Sequence, residues 1–194
     1  MNRRNLYLAA TAVFFVLQLA VIGSVIVQGN LVLARGVECR FKATGFDPSD
    51  PLRGRYVVFD ADVSTTAVDE ALSNRFCKAY FQLSETPDAD GLTPVLRCAA
   101  KPTAEGLWIG PLETCINHTL SWGDQEENET DEAFRERLEN SPRIARAELP
   151  EKFYTPENVA PELEQRLRRE GAFAVAVYRA YKGLILLTDL QVVP

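Results

Sequence analysis

The side chains able to do chemistry are few and scattered. His118 is the only imidazole in the chain, so no site can be built on two histidines. A Ser-His-Asp triad would have to use it, and no G-x-S-x-G or comparable nucleophile setting occurs. A Ser-Lys dyad needs no imidazole, but none of the five lysines sits in a recognisable dyad motif. Carboxylate pairs able to divide acid and base roles occur at Asp47/Asp50 and at Asp60/Asp62. The first pair lies in DPSDPLRG, where acidic residues serve as turn formers. The second shares the polar face of an expected strand, which is ordinary solvation. No Gly-rich phosphate loop and no G-x-G-x-x-G is present. Asn117-His118-Thr119 and Asn128-Glu129-Thr130 match the glycosylation sequon, a pattern that arises often by chance. The residues predict no catalytic constellation, no metal site and no cofactor. The enzymatic alternative is an envelope hydrolase working with the carboxylates of DPSDPLRGRY.

Cys39, Cys77, Cys98 and Cys115 are separated by 37, 20 and 16 residues. No C-x-x-C occurs, and the single C-x-x-H of Cys115 and His118 falls short of a zinc site. An even number of cysteines in an oxidising compartment predicts two disulfides, with all three pairings open. The competing expectation is four buried free thiols, which behave as small apolar side chains.

Which compartment applies depends on the elements around these residues. Residues 6–28, LYLAATAVFFVLQLAVIGSVIVQ, are almost wholly apolar. As a helix they rise roughly 34 Å, enough to cross a hydrocarbon core of about 30 Å. Arg3 and Arg4 precede the run and Arg35 is the first charge after it. The positive-inside rule keeps residues 1–5 in the cytoplasm and sends the rest outward. A cleaved signal peptide is the rival, but its apolar region spans about 7–15 residues and ends at a small-residue site, which is missing here.

The sequence has 194 residues, 46% of them hydrophobic and 25% charged, with a net charge of −6. That balance describes a folded domain and argues against a nucleic-acid surface. Without Arg3 and Arg4, 19 basic residues face 27 acidic ones, so the outer part carries −8. Residues 29–36 read as a short linker and 37–194 as one domain. Strands are expected over 37–46, 56–63, 77–83 and 94–100, with at least one more inside 106–122. In the second, Val57, Phe59, Ala61 and Val63 share the core face. Residues 67–75 suggest one or two helical turns. Eight acidic residues against two arginines over 124–139 read as a solvated surface, with Thr130 capping a helix over 131–139. Residues 152–154 lead into a second helix over 157–170, where Val159, Leu163 and Leu167 form one stripe and Gly171 is the stop. Residues 172–181 and 184–193 are expected to form a hairpin around a turn at Tyr181-Lys182-Gly183. The fold class is α+β: one N-terminal transmembrane helix, then a mostly antiparallel β-sheet domain with two short helices.

Three blocks together resemble the GDYXXLXY family of membrane-anchored bacterial proteins. The first is Asp47-Pro48, Asp50, Leu52-Arg53-Gly54 and Tyr56. The second is Phe153, Tyr154, Pro156 and Glu157, and the third is Lys182-Gly183-Leu184. The resemblance covers residues 37–194. It implies one N-terminal span, an outer domain and no established reaction. Family members are often encoded beside multi-pass membrane proteins, which implies an accessory subunit. The family string Gly-Asp-Tyr, then Leu, then Tyr reads here Gly54-Arg55-Tyr56, Phe59 and Ala61, so one charge is reversed and one tyrosine lost.

The retained residues also have a direct physical reading. Pro48 and Pro51 fix the loop backbone, Gly54 supplies a special backbone position, and Arg53 can pair with Asp47 or Asp50. Asp47, Asp50, Arg53, Gly54, Tyr56, Tyr154, Pro156 and Glu157 are therefore the candidate binding residues. The expected function is a non-catalytic, inner-membrane, single-pass protein whose periplasmic domain binds a membrane or envelope protein. A small-ligand sensor is the second reading, and a large apolar pocket would favour it.

Overall fold

A computed structural model describes residues 3–48, 56–120, 124–125, 129–150, 152–154 and 173–193. Helix α1 runs from Arg3 to Arg35. It is one helix long and apolar enough to cross a membrane, with a mean hydropathy of 2.1 in its candidate span Thr11–Arg35; the protein leaves the most apolar stretch of that span uncovered, and Val32 near its end is buried. An apolar helix exposed on every side has no stable place in water. The stretch read as a linker is mostly helix: α1 continues through Arg35, and only Gly36 separates it from the first strand.

Ten strands follow among the described residues, in two five-stranded sheets. The first sheet has the order β10-β9-β1-β2-β8. It is built from β1 (Val37–Pro48), β2 (Tyr56–Ala61), β8 (Lys152–Tyr154), β9 (Phe173–Tyr181) and β10 (Leu184–Val193). The second has the order β3-β7-β6-β4-β5. It comprises β3 (Ser64–Thr65), β4 (Phe76–Leu83), β5 (Val95–Ala99), β6 (Leu107–His118) and β7 (Arg143–Ala147). Every pairing inside the sheets is antiparallel.

The two inner faces form one core, with Phe41, Phe59 and Tyr178 from the first sheet and Phe81, Ile109 and Ala145 from the second. Phe41 and Tyr178 meet at 5.8 Å between ring centres. The buried Tyr178 hydroxyl donates to Pro150 O at 2.9 Å, which satisfies its polar tip inside the core. Phe59, Ala61 and Val63 are buried as the alternation predicts.

Helix α2 (Asp131–Glu139) begins where Thr130 accepts from Ala133 N. The Ser141 hydroxyl donates to Leu138 O just past its end. The second helix expected over 157–170 lies outside the described residues. Residues 67–75 do not form helical turns with regular structure; they make bends around a single bridge from Val68 to Cys98. The strands β3, β7 and β8 went unread. They have two, five and three residues, too few for a period of two to stand out.

Two close backbone approaches hold the architecture together. The β9–β10 turn has φ of 49° at Lys182 and 86° at Gly183, the signs of a two-residue type I′ hairpin. This turn docks on the second sheet, where Gly110 N donates to Gly183 O at 2.9 Å. At the other approach, Arg179 donates to Leu33 O at 3.0 Å and to Gly36 O at 3.5 Å. It caps the Leu33 carbonyl, which the last turn of α1 leaves without a helical partner, and reaches the Gly36 carbonyl just beyond the helix.

Candidate functional site at the far end of the first sheet

The register of the first sheet brings the first two motif blocks together. Strand β1 ends at Asp47 and Pro48, which lie opposite Val58 and Val57 of β2. The ladder shifts between Thr44 and Asp47, a bulge that re-aims the strand end. On the other side of β2, Tyr56 lies opposite Tyr154, Val57 opposite Phe153 and Val58 opposite Lys152. Asp47, Tyr56 and Tyr154 thus share one end of one sheet, although the two blocks are far apart in sequence. Asp50, Arg53, Gly54, Pro156 and Glu157 lie outside the described residues.

Alternation separates two duties within the signature. Phe59 and Ala61, at the family's Leu and final Tyr positions, are 1% and 2% exposed. They are core positions on the inner face of β2, so this half of the signature specifies packing. Positions 56 and 154 fall on the opposite face by the period of two. The third block has a backbone role: Gly183 lies in the left-handed region, and a Cβ there would meet Gly110 O at 2.6 Å. In the sequence Gly183 shows only as a turn residue, because its neighbour Gly110 lies on another sheet.

Position along the sheet matters as much as pairing. Strand β1 leaves α1 at Val37 and reaches the motif end at Pro48, which at about 3.3 Å per residue is roughly 35 Å away. The motif end and the apolar helix are therefore at opposite ends of β1.

His118 is at neither end of this sheet. It lies on β6, where its Nδ1 is 3.3 Å from both the carbonyl and the hydroxyl oxygen of Ser141. Beside it is an open cavity of about 600 Å³ lined by Asn74, Arg75, Asn117, His118, Leu138 and Arg143 among others, with no carboxylate among the described lining residues. Arg143 spends its guanidinium on Leu72 O at 2.6 Å and Asp69 O at 3.2 Å. Arg75 stacks on the ring of Phe76 at 5.4 Å. Neither arginine pairs with a carboxylate among the described residues. The lining mixes these polar groups with the aliphatic Ile116, Leu120 and Leu138, so it is not the wholly apolar pocket that the sensor reading anticipates.

The two expected disulfides are not formed: Cys39, Cys77, Cys98 and Cys115 are all free. Register explains why. Cys39 lies opposite Tyr178, Cys77 opposite Thr114, Cys98 opposite Phe81, and Cys115 opposite Phe76 and Arg146. No cysteine has another as its cross-strand partner, the relation whose Cα spacing suits a bridge. Burial pushes the thiols of Cys39 and Cys98 up to about 12, with Glu38 adding to the first and Cys77 and Asp69 to the second. Burial also raises Cys77, aided by the neighbouring Cys115 and Glu113. Cys39 and Cys98, both buried, behave as inert apolar side chains. No group of three or more metal-ligating side chains occurs among the described residues.

Comparison with curated proteins finds no match, and comparison with solved structures finds none. A family model does match, over residues 18–190, and with its blocks assembled as described the chain belongs to the GDYXXLXY protein family.

Proposed function

We propose that this is an inner-membrane protein, anchored by α1, whose outer domain serves as a non-catalytic accessory subunit of a membrane complex. The N-terminus is cytoplasmic and the domain periplasmic, in keeping with Arg3 and Arg4 before the apolar run. The single observation carrying the reading is the meeting of the first two motif blocks at the end of the first sheet opposite α1. Among the described residues strand β8 has a hydrogen-bonded neighbour on one side only, and Tyr56 and Tyr154 lie at that margin. Tyrosine is enriched among the residues that dominate protein interfaces. The partner is a multi-pass membrane protein with an outer portion reaching roughly 35 Å from the bilayer, the span of β1.

Purification of the full chain from its own membranes in mild detergent tests this. A partner in near-equal amount is expected, and Tyr56→Ala with Tyr154→Ala should cut its recovery at least tenfold without lowering the unfolding temperature of the chain. Recovery of the chain alone, or a partner indifferent to both substitutions, overturns the reading. The hydrolase reading gains no observation, since Asp50 lies outside the described residues.

A second reading has the cavity beside His118 in its favour. Two arginines and an imidazole line it without a described carboxylate, in a chain with 27 acidic residues. Its volume is in the range of small-molecule sites. The ligand class is a small organic anion. Calorimetry on the full chain with citrate should show binding that Arg75→Gln weakens at least tenfold. Absence of heat with both citrate and inorganic phosphate rules this reading out.

A further inference from the structure

The base of the outer domain, where α1 meets the first sheet, carries exposed apolar side chains next to cations. Val37, Leu184 and Leu186 are 47%, 46% and 37% exposed there. Leu184 and Leu186 occupy the outward positions of β10, while Ile185 and Leu187 between and beyond them pack on the core. Leu184 lies opposite Tyr181 and Leu186 opposite Arg179. Arg179 is the residue that caps α1, so these leucines belong to the rim around the helix end. Two cations join them. Arg35 is within hydrogen-bond reach of the Tyr181 hydroxyl, and Lys182 Nζ stands 5.5 Å from the Tyr181 ring centre. The nearby acid, Glu38, is 3.6 Å from Arg40.

We infer that this rim is a lipid-contact surface, seated on the bilayer with Val37, Leu184 and Leu186 in the interfacial layer and Arg35 and Lys182 on lipid phosphates. The inference rests on the reading of α1 as a membrane span. Three observations select a bilayer as the occupant. The rim is continuous with the apolar helix, whose candidate span ends at Arg35 itself. Apolar side chains beside a tyrosine and long cations form the composition that membrane–water interfaces favour. Arg35 and Lys182 stand at the base of a domain whose net charge is negative, so the face that the helix delivers to the bilayer offers cations to anionic phosphate. Seating the base also fixes the direction of β1, and with it the height of the motif end.

The test places the photocrosslinker p-benzoylphenylalanine at single positions of the full chain. The chain is reconstituted in nanodiscs of phosphatidylcholine and phosphatidylglycerol. Leu17 reports the middle of α1, Leu184 and Leu186 the rim, and Leu96, 49% exposed on the second sheet, a surface facing water. Lipid adducts are expected at positions 17, 184 and 186, and none at 96. Adducts at 17 with 184 and 186 as silent as 96 overturn the inference while leaving the anchor intact. Adducts from 184 or 186 to another protein chain overturn it in favour of a protein interface. Silence at 17 overturns the anchor, and the rim with it.

Discussion

Replacing Gly183 by alanine is expected to cost about 2–4 kcal/mol of stability, through two independent effects. At φ of 86° a Cβ carries the left-handed penalty of roughly 1–2 kcal/mol. The same Cβ would meet Gly110 O at 2.6 Å, inside any tolerated contact. Relief requires the turn to lift from the second sheet, and lifting breaks the bond from Gly110 N to Gly183 O. Gly110 cannot yield inward, because it lies against the backbone of Ala79 and Tyr80. Lys182→Asn is the matched control. Lys182 has φ of 49°, and asparagine suits that turn position, so a gain of up to about 1 kcal/mol is expected. Urea unfolding of the full chain in detergent, followed by the emission of the buried Trp108, measures both. A loss below about 1 kcal/mol for Gly183→Ala would mean that the sheets are not locked through this turn.

This pair of substitutions also marks where sequence reading reached and where it stopped. The hairpin over 172–193 was legible because two apolar runs flank Lys182-Gly183. The role of Gly183 as a joint between sheets was not, since Gly110 precedes it by more than seventy residues and carries no local sign of that contact. The same division runs through the site. Strand β2 announced its inner face through Phe59, Ala61 and Val63, all buried as expected. Its pairing with β8 was hidden, because Lys152–Tyr154 is three residues long and reads equally well as a lead into a helix. The motif blocks could be recognised separately, but only register places Tyr56 opposite Tyr154. The connector over 29–36 failed for a simpler reason: Gly29 and Asn30 look like a helix stop, yet both lie within α1. Apolar Leu31, Val32 and Leu33 follow, and Val32 is 3% exposed against the domain. Tertiary contact with the domain overrides the local signal.

The cysteines give the second large effect, and it appears as a dependence on pH. Cys39 and Cys98 are at most 1% exposed, and burial holds their thiols up to about 12. In the unfolded chain they ionise near about 8.5. Between those values the native state keeps protons that the unfolded state has lost, so rising pH favours unfolding. Their contribution is fully present below the unfolded value and is lost as pH rises toward the folded one. Each thiol costs up to about 1.4 kcal/mol per pH unit in that window, and the two together about 3 kcal/mol. The double variant Cys39→Ala, Cys98→Ala should therefore show a shallower fall in urea-unfolding stability between pH 9 and 10.5, even though cavity formation lowers its stability at pH 7. Native alkylation provides a second readout. A thiol at about 12 holds roughly a thousandth of the thiolate an ordinary one does at pH 8. Iodoacetamide should then modify Cys39 and Cys98 at least a thousandfold more slowly in the native chain than in the unfolded one. All four cysteines should react once the chain is unfolded without reductant. Retention of a bridge under those conditions would contradict the register that keeps every cysteine opposite a different residue type, and would return the chain to the disulfide-linked arrangement its even cysteine count suggests.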